Sequence, residues 1–318
     1  THGHQPLSNQ EETIWVMLNG EIYNYRHLRA ELEARGYAFR TQSDTEVIVH
    51  GYAAWGRGVF SRLEGMFAIA IWDANNRSLL LARDRLGKKP LYYYPHGQTL
   101  WFASELKALQ AAHQGSLEVS EEAIALYFRT DAIPTPLSIW KGIKKLPPAT
   151  YIQVTHGAVS SLQSFWKLDP ATFPSLSSPK EAVNALRQAI DEAVKDRLMA
   201  DVPLGLFLSG GLDSAVIAAS AVRQSTHRLR AFTVGFTDPT HDEAAAAKAV
   251  AKALCLEHHV AILSEKEALT MLDEAVECLD EPLADPAILP QLLLARFAKK
   301  YLTVALAGDG GDELLYGY

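Results

Sequence analysis

The feature that most constrains the fold of this chain is an apolar run that ends in a glycine-rich turn. Residues 204–208 are apolar, and Ser209-Gly210-Gly211 and then Leu212-Asp213-Ser214 follow them. The pattern predicts a buried strand, a turn whose backbone N–H groups hold an anion, and a helix that begins near Asp213. An acid in such a site indicates a metal ion between the carboxylate and the phosphates. The run therefore predicts a site for Mg-ATP cleaved between its α- and β-phosphates, and the alternative is an ordinary strand–turn–helix connection.

The second half of the chain alternates between strand and helix patterns. It follows a stretch rich in proline and serine, residues 169–179, which is typical of a linker. Helices are expected at 180–199, 213–223 and 242–254, and strands at 204–208, 229–236, 259–263 and 302–306. Alternation of this kind predicts a parallel sheet whose ligands lie beyond the carboxyl ends of its strands.

A second glycine-rich motif follows the last predicted strand. Residues 308–312 read Gly308-Asp309-Gly310-Gly311-Asp312, and Glu313 comes next. Glycines allow a ligand to approach the backbone closely. Carboxylates at the end of a strand suit Mg²⁺ coordination or contact with a reacting group. The alternative is a solvated acidic turn.

The first half of the chain, to about residue 168, is rich in strand patterns. Strands are expected at 13–18, 66–72, 78–83, 90–94 and 100–103, and helices at 25–35, 44–55 and 104–112. The motif Asn19-Gly20-Glu21 follows the first of these strands. The Asn19 amide and the Gly20 N–H are suited to stabilise an oxyanion. Glu21 and Asp44 are candidate partners for an ammonium group, although Asn-Gly by itself is also a favourable turn.

Charge and cysteine usage exclude several classes of protein. The net charge is −7 and no long basic run occurs, which argues against a nucleic-acid or anionic-membrane partner. The two cysteines, Cys255 and Cys278, are too few for a disulfide scaffold, so we expect a cytoplasmic protein. Both lie in helical patterns and are expected to be small, buried hydrophobic side chains. The adjacent His258 and His259 should point to opposite faces of a strand, which disfavours a shared metal ion.

Several motifs in the same order resemble the glutamine-hydrolysing asparagine synthase family. Besides those above, residues 3–7, 82–92, 102–108, 201–203 and 280–286 carry the resemblance, which covers essentially the whole chain. The run 209–214 is similar to the pyrophosphate loop of ATP-pyrophosphatases and lacks the lysine of the Walker loop.

The resemblance implies a two-domain fold of the α/β and α+β classes. Residues 1–168 would form a type 2 glutamine amidotransferase domain, an αββα sandwich of the N-terminal-nucleophile hydrolase type that lacks its N-terminal segment. Residues 169–179 would form the linker. Residues 180–318 would form a parallel-sheet ATP-pyrophosphatase domain that lacks its C-terminal part.

The resemblance also implies an activity. Glutamine hydrolysis would supply ammonia, and ATP with Mg²⁺ would adenylate the side-chain carboxylate of aspartate. Ammonia would pass through an internal channel and displace AMP, so that asparagine, glutamate, AMP and pyrophosphate leave. The implied partners are the small-molecule substrates glutamine, aspartate and ATP, with no nucleic acid or membrane. The oligomeric state is left open, and a homodimer is one alternative.

Site residues follow from the same resemblance. Asn19 and Gly20 match the oxyanion hole, and Glu21 and Asp44, together with Asn19, match the glutamine-binding residues. Asp309 matches the acid linked to formation of the aspartyl-adenylate, a position that is Glu in some relatives. The implied Mg²⁺ ligands are Asp213 and Asp312. The implied ATP-binding residues are Phe207, Val234, Ser209, Gly210, Gly211, Asp213, Ser214, Ala307 and Gly308.

The chain departs from the family pattern at both ends. The family nucleophile is an N-terminal cysteine, and no cysteine precedes Cys255 here. The arginine that holds the glutamine carboxylate and the downstream catalytic lysine also have no counterpart, so the chain is expected to be an internal piece. Thr1 aligns inside the family domain and is not expected to be a nucleophile. Tyr316 stands where the family has glycine.

Three other functions are alternatives to asparagine synthesis. Amidation of another carboxylate, such as one on a cell-wall or glycan precursor, remains open because no residue identifies the acceptor. A synthetase with an inactive glutaminase half is disfavoured by the intact residues 19–21 and Asp44. A non-catalytic binding protein is disfavoured by the intact residues 209–214 and 309–312.

Overall fold

A computed structural model describes residues 3–113, 115–173, 175–240, 242–315 and 317. These residues form two compact units. Unit 1 contains the residues up to Phe173 and the short segment Leu279–Ala284; unit 2 contains those from 175 to Cys278 and from Asp285 onward. Thr1 and Tyr316 lie outside the described residues. Within the described part of the chain, no helix combines the length and the apolar character needed to cross a membrane.

Unit 1 contains mostly antiparallel strands and short helices. Its strands are β1 (Leu7–Ser8), β2 (Ile14–Ile22), β3 (Gly65–Asp73), β4 (Ser78–Arg83), β5 (Tyr92–His96), β6 (Thr99–Ala103), β7 (Lys144–Lys145), β8 (Thr150–Thr155), β9 (Ala158–Val159) and β10 (Gln163–Ser164). Its helices are α1 (Tyr25–Ala34), α2 (Glu46–Trp55), α3 (Val59–Arg62), α4 (Leu106–Ala112) and α5 (Glu121–Thr130).

The strands of unit 1 form two stacked sheets with helices on both outer faces. The larger sheet has the order β1-β2-β3-β4-β8-β10, and the smaller has the order β6-β5-β7. Successive side chains on a strand face opposite sides. Ile69 therefore packs with α1 and α2, while Ala70 packs with Tyr93 of the smaller sheet. Tyr92, next to Tyr93, packs with Leu106 of α4. These layers confirm the predicted αββα sandwich.

Strand β2 continues further than its apolar pattern indicates. It runs through Asn19 and Gly20 to Ile22, and these residues pair with β3 in antiparallel register. The alternative interpretation of Asn19-Gly20 as a turn is therefore wrong. The motif lies in a strand, which fixes the direction of its side chains and N–H groups.

Unit 2 is built around a parallel sheet. Its strands are β11 (Leu204–Phe207), β12 (Arg230–Phe236), β13 (Glu257–Leu263) and β14 (Val304–Leu306), and the order is β13-β12-β11-β14 with all neighbours parallel. Its helices are α6 (Pro179–Arg197), α7 (Leu212–Gln224), α8 (Ala244–Ala253), α9 (Glu265–Cys278), α10 (Ile288–Ala298) and α11 (Gly311–Leu315). The predicted parallel α/β sheet is confirmed.

Helices cover both faces of this sheet. Ala231 packs with Ala218 of α7 and Ala247 of α8, whereas the next residue, Phe232, packs with Ala298 of α10. The prediction that both cysteines are buried is wrong, because Cys255 and Cys278 are exposed. Cys255 lies two residues beyond the end of α8 and has a positive φ of 55°, so its side chain is not part of the helix face that packs.

Candidate functional sites

In unit 1, the close pairing of β2 and β3 requires a glycine at position 20. Gly20 has a φ of 151°, and a Cβ there would lie 2.0 Å from the carbonyl oxygen of Met66. The neighbouring Asn19 is exposed, and its Nδ2 donates a hydrogen bond to the Ser104 hydroxyl at 2.9 Å. The carboxamide of Asn19 is thus held at the surface of the sheet, where a substrate can reach it.

Asp44 lies beside this strand end. Its Oδ2 accepts a hydrogen bond from the Ile22 N–H at 2.8 Å. This contact holds Asp44 at the end of β2, the strand that also carries Asn19, Gly20 and Glu21. Burial raises the pKa of the Asp44 carboxyl above its ordinary value, and hydrogen bonds from Ile22 and from neighbouring hydroxyls oppose this only in part. Burial is the largest cause of this shift. A desolvated carboxylate of this kind is suited to bind an ammonium group.

Glu46 anchors the loop that carries Asp44. This carboxylate is buried, and it accepts hydrogen bonds from the Arg40 N–H at 2.8 Å and the Thr41 N–H at 2.7 Å. A hydrogen bond from the Thr41 hydroxyl at 2.6 Å and these two N–H groups lower the pKa of Glu46 despite its burial. Sequence reasoning assigned Glu46 no role, whereas the structure shows that it ties α2 to the preceding loop.

In unit 2, the predicted nucleotide-binding residues gather at the carboxyl ends of neighbouring strands. The chain crosses from β11 to β12 on one side, and β14 pairs with β11 on the other, so the strand order reverses between β11 and β14. Ligands of open parallel sheets bind at this point. Ser209 follows β11, and Ala307 follows β14 directly. Val234 lies on β12, while the Phe207 side chain packs beside Phe232 and contributes to the core.

The turn after β11 is organised by its own hydroxyl groups. The Ser209 N–H donates to Ser214 Oγ at 3.1 Å, the two serine hydroxyls are 2.8 Å apart, and the Gly211 N–H donates to Ser209 Oγ at 3.2 Å. Gly211 precedes α7 and provides no side-chain cap, so the first N–H groups of that helix stay available to an anion. The glycines here have no left-handed φ; Gly210 is needed because a Cβ would lie 2.9 Å from the Ala246 methyl.

The two glycine-rich loops of unit 2 contact each other. A Cβ on Gly308 would lie 2.6 Å from the Ser214 nitrogen, and a Cβ on Gly311 would lie 2.5 Å from the Asp213 carboxylate. The structure therefore places Asp213 against the residue that precedes Asp312. Proteins usually bind Mg²⁺ through one or two carboxylates, while phosphates and water supply the other ligands. Asp213 and Asp312 therefore fit the ion. No cluster of three or more metal-ligating side chains occurs among the described residues.

Glu243 reaches the same loop and was not predicted. Its Oε2 accepts a hydrogen bond from the Gly210 N–H at 3.1 Å, although Glu243 is exposed and lies just before α8. The sequence offers no local signal for this contact, because the two residues are 33 positions apart. A bound phosphate would compete with this carboxylate for the same N–H group.

His258 supports the turn after β11 through two hydrogen bonds that share the Thr233 hydroxyl. The Thr233 hydroxyl donates to the Leu208 carbonyl at 2.6 Å, and it therefore accepts from His258 Nε2 at 2.8 Å. Since the hydroxyl has one proton, His258 must carry a proton on Nε2. His259 points to the other face and stacks against the rings of Phe232 and Tyr301, as expected for adjacent residues on a strand. Sequence reasoning assigned His258 no role.

Asp309 is exposed at the tip of the second loop, while Asp213 and Asp312 are half-buried. The candidate glutamine residues thus lie together in unit 1, and the candidate nucleotide residues lie together in unit 2.

Known proteins match both units. Residues 1–166 match the family model for a glutamine amidotransferase domain, and residues 185–318 match that for asparagine synthase. The chain is 40% identical over 318 residues to glutamine-hydrolyzing asparagine synthetase 1 of Bacillus subtilis, an alignment that covers all of this chain and 50% of that relative. It is 33% identical over 334 residues to asparagine synthetase B of Escherichia coli, covering 99% of this chain and 54% of the relative. The chain spans about half the length of these relatives.

Proposed function

This chain belongs to the glutamine-hydrolysing asparagine synthetase family, and we propose that the protein containing it makes asparagine from aspartate, ATP and glutamine. Unit 1 would hydrolyse glutamine and unit 2 would activate aspartate. The observation that carries the proposal is the contact of the Gly308–Gly311 loop with Asp213 and Ser214 at the reversal point of the sheet.

In unit 1, Asp44 and Glu21 would bind the α-ammonium group of glutamine. Burial makes the ionised form of Asp44 costly, and a bound ammonium would remove part of that cost. Asn19 Nδ2 and the Gly20 N–H would donate to the oxyanion that forms when the side-chain amide is attacked. These donors lie on a paired strand, which keeps them oriented before the reaction begins.

In unit 2, the N–H groups at the start of α7 and the Ser209 and Ser214 hydroxyls would hold the β- and γ-phosphates of ATP. Phe207, Val234, Ala307 and Gly308 would contact the nucleoside, largely through backbone groups. Asp213 and Asp312 would hold Mg²⁺, which when bound neutralises charge on the phosphates. Asp309, exposed at the loop tip, would contact the aspartate carboxylate and the forming adenylate.

Release of pyrophosphate and AMP tests this proposal in the gene product that contains this chain. With glutamine, aspartate and Mg-ATP, asparagine, glutamate, AMP and pyrophosphate should form in equal amounts. Asp213→Ala should abolish pyrophosphate release and leave glutamine hydrolysis measurable. Adenylation that requires a different carboxylate would contradict aspartate as the acceptor, and loss of both activities in a folded Asp213→Ala protein would contradict the assignment of two sites.

We also propose that the protein is cytoplasmic. The support is its cysteine usage, since no disulfide joins the described cysteines. Formation of a disulfide in the native protein isolated under thiol-blocking conditions would argue against this location.

A further inference from the structure

The segment Leu279–Ala284 packs within unit 1, although it directly follows helix α9 of unit 2 in the chain. The Ala284 N–H donates to the Asp131 carbonyl at 2.8 Å. Glu281 forms an ion pair with Lys145, and both side chains are largely buried. These contacts hold the segment at Glu281 and Ala284, and the first of these residues directly follows Asp280 and restrains its position.

Asp280 caps a helix of unit 1 from outside that helix. Its Oδ2 accepts a hydrogen bond from the Leu106 N–H, the first residue of α4, at 2.7 Å. Glu105 precedes α4 but makes no side-chain cap hydrogen bond of its own. Capping by a carboxylate stabilises a helix start and the chain that enters it. Asp280 therefore fixes the path of the residues just before Leu106.

Ser104 lies in this fixed stretch and contacts Asn19. Ser104 Oγ accepts one of the two Asn19 Nδ2 protons at 2.9 Å, across 85 positions of sequence. The second proton of the same nitrogen remains to donate to a reacting group. Asn19 is exposed, and among the described residues its side chain makes this one hydrogen bond, which restrains its rotamer.

We propose that Ser104 is a positioning residue that orients the Asn19 carboxamide, and that Asp280 keeps Ser104 in place. The inference rests on the proposed glutamine hydrolysis and deepens it. It makes the oxyanion site of unit 1 dependent on a segment that lies within the sequence matched to asparagine synthase. Asp280 accepts from the Leu106 N–H, the backbone connects Leu106 to Ser104, and Ser104 accepts from Asn19.

The two roles predict a specific kinetic pattern. The oxyanion exists only in the transition state, so loss of its orientation lowers kcat and leaves the KM for glutamine nearly unchanged. Removing an oxyanion donor outright costs about 100- to 1000-fold, so loosening one through Ser104→Ala should cost about tenfold. Ser104→Thr keeps a hydroxyl and should restore most of the activity.

The test is glutamine hydrolysis by the gene product that contains this chain, with folding checked by circular dichroism and melting temperature. If Ser104 acts through Asn19, Ser104→Ala should have no further effect in an Asn19→Ala background. Ammonia-dependent asparagine synthesis should be unchanged in Ser104→Ala. Equal loss of kcat in both backgrounds, or a change in KM alone, would overturn the role of Ser104.

The role of Asp280 has its own comparison. Asp280→Ala should lower the same kcat, whereas Asp280→Asn keeps an oxygen that accepts from Leu106 and should stay near the parent rate. Asp273→Ala, an exposed position on α9 with the same charge change, is the matched control and should equal the parent. If Asp280→Ala equals that control, the inference for Asp280 is refuted. A parent protein that hydrolyses no glutamine would overturn the proposed function itself, before any variant is compared.

Discussion

Substitution of Gly308 by alanine tests whether the two loops of unit 2 must touch. The new Cβ would lie 2.6 Å from the Ser214 nitrogen and 2.8 Å from the Asp213 carbonyl carbon. Ordinary van der Waals contact begins at 3.4 Å, so the loops must separate by about 0.8 Å. Both neighbours are backbone atoms, which cannot turn away as the end of a flexible side chain could.

The expected cost has a structural part and a catalytic part. Overpacking of this size destabilises a protein by about 1–3 kcal/mol. A misplacement near 1 Å between reacting groups costs about 100-fold in rate. Asp213, Ser214 and the residues after Gly308 would all shift relative to a bound nucleotide. We therefore expect pyrophosphate release to fall about 100-fold while glutamine hydrolysis in unit 1 is unchanged.

Gly310→Ala is the matched control. Gly310 lies in the same loop and has a φ of 92°, but a Cβ there would meet no atom within 4 Å. The substitution adds backbone strain of about 1–2 kcal/mol without forcing the loops apart. Pyrophosphate release with ammonia as nitrogen donor should therefore fall far less than in Gly308→Ala. Equal losses in the two variants would refute the argument from loop contact.

Three further substitutions address other parts of the structure. Asp44→Asn should raise the KM for glutamine. It should also raise the free energy of unfolding at neutral pH, because the raised pKa of Asp44 makes its ionisation unfavourable in the folded state. This difference in stability should disappear at acid pH, and denaturant titrations at several pH values would measure it. In the parent protein, the KM for glutamine should rise as the pH falls through that raised pKa, and a KM independent of pH would contradict the role of Asp44. Gly20→Ala should destabilise unit 1 by more than about 2 kcal/mol, measured by urea unfolding, since its Cβ would lie 2.0 Å from the Met66 carbonyl oxygen. Thr233→Val should cost about 1–2 kcal/mol and raise the KM for ATP, since it removes the hydroxyl that holds the Leu208 carbonyl; an unchanged KM would show that this hydroxyl does not support the loop.

Local patterns carried most of the information about unit 2. The apolar strand, the glycines and the acid of residues 204–214 each determine structure over a few neighbours, so the strand, turn and helix were predictable. The reversal of strand order between β11 and β14, which brings Gly308 to Ser214, was not predicted, because strand positions along the chain do not determine which strands pair. The reason for Gly210 was not predictable, since it depends on the packing of Ala246 from another helix.

Contacts between distant residues account for what sequence reasoning missed. Asn19-Gly20 resembles a turn locally, but pairing with β3 keeps it in a strand. Glu243 and Asp280 are ordinary surface acids by pattern, and only the fold brings them to Gly210 and to the start of α4. Such contacts leave no periodic signal, because each joins single residues across long stretches of chain.

The fate of the glutamine amide nitrogen shows whether glutamine hydrolysis supplies the nitrogen of asparagine. The gene product that contains this chain would be given glutamine labelled with ¹⁵N in its side-chain amide, together with aspartate and Mg-ATP. The account predicts asparagine labelled in its side-chain amide, with one AMP and one pyrophosphate for each asparagine formed. Formation of ADP and phosphate, or AMP release with no label in asparagine, would contradict it.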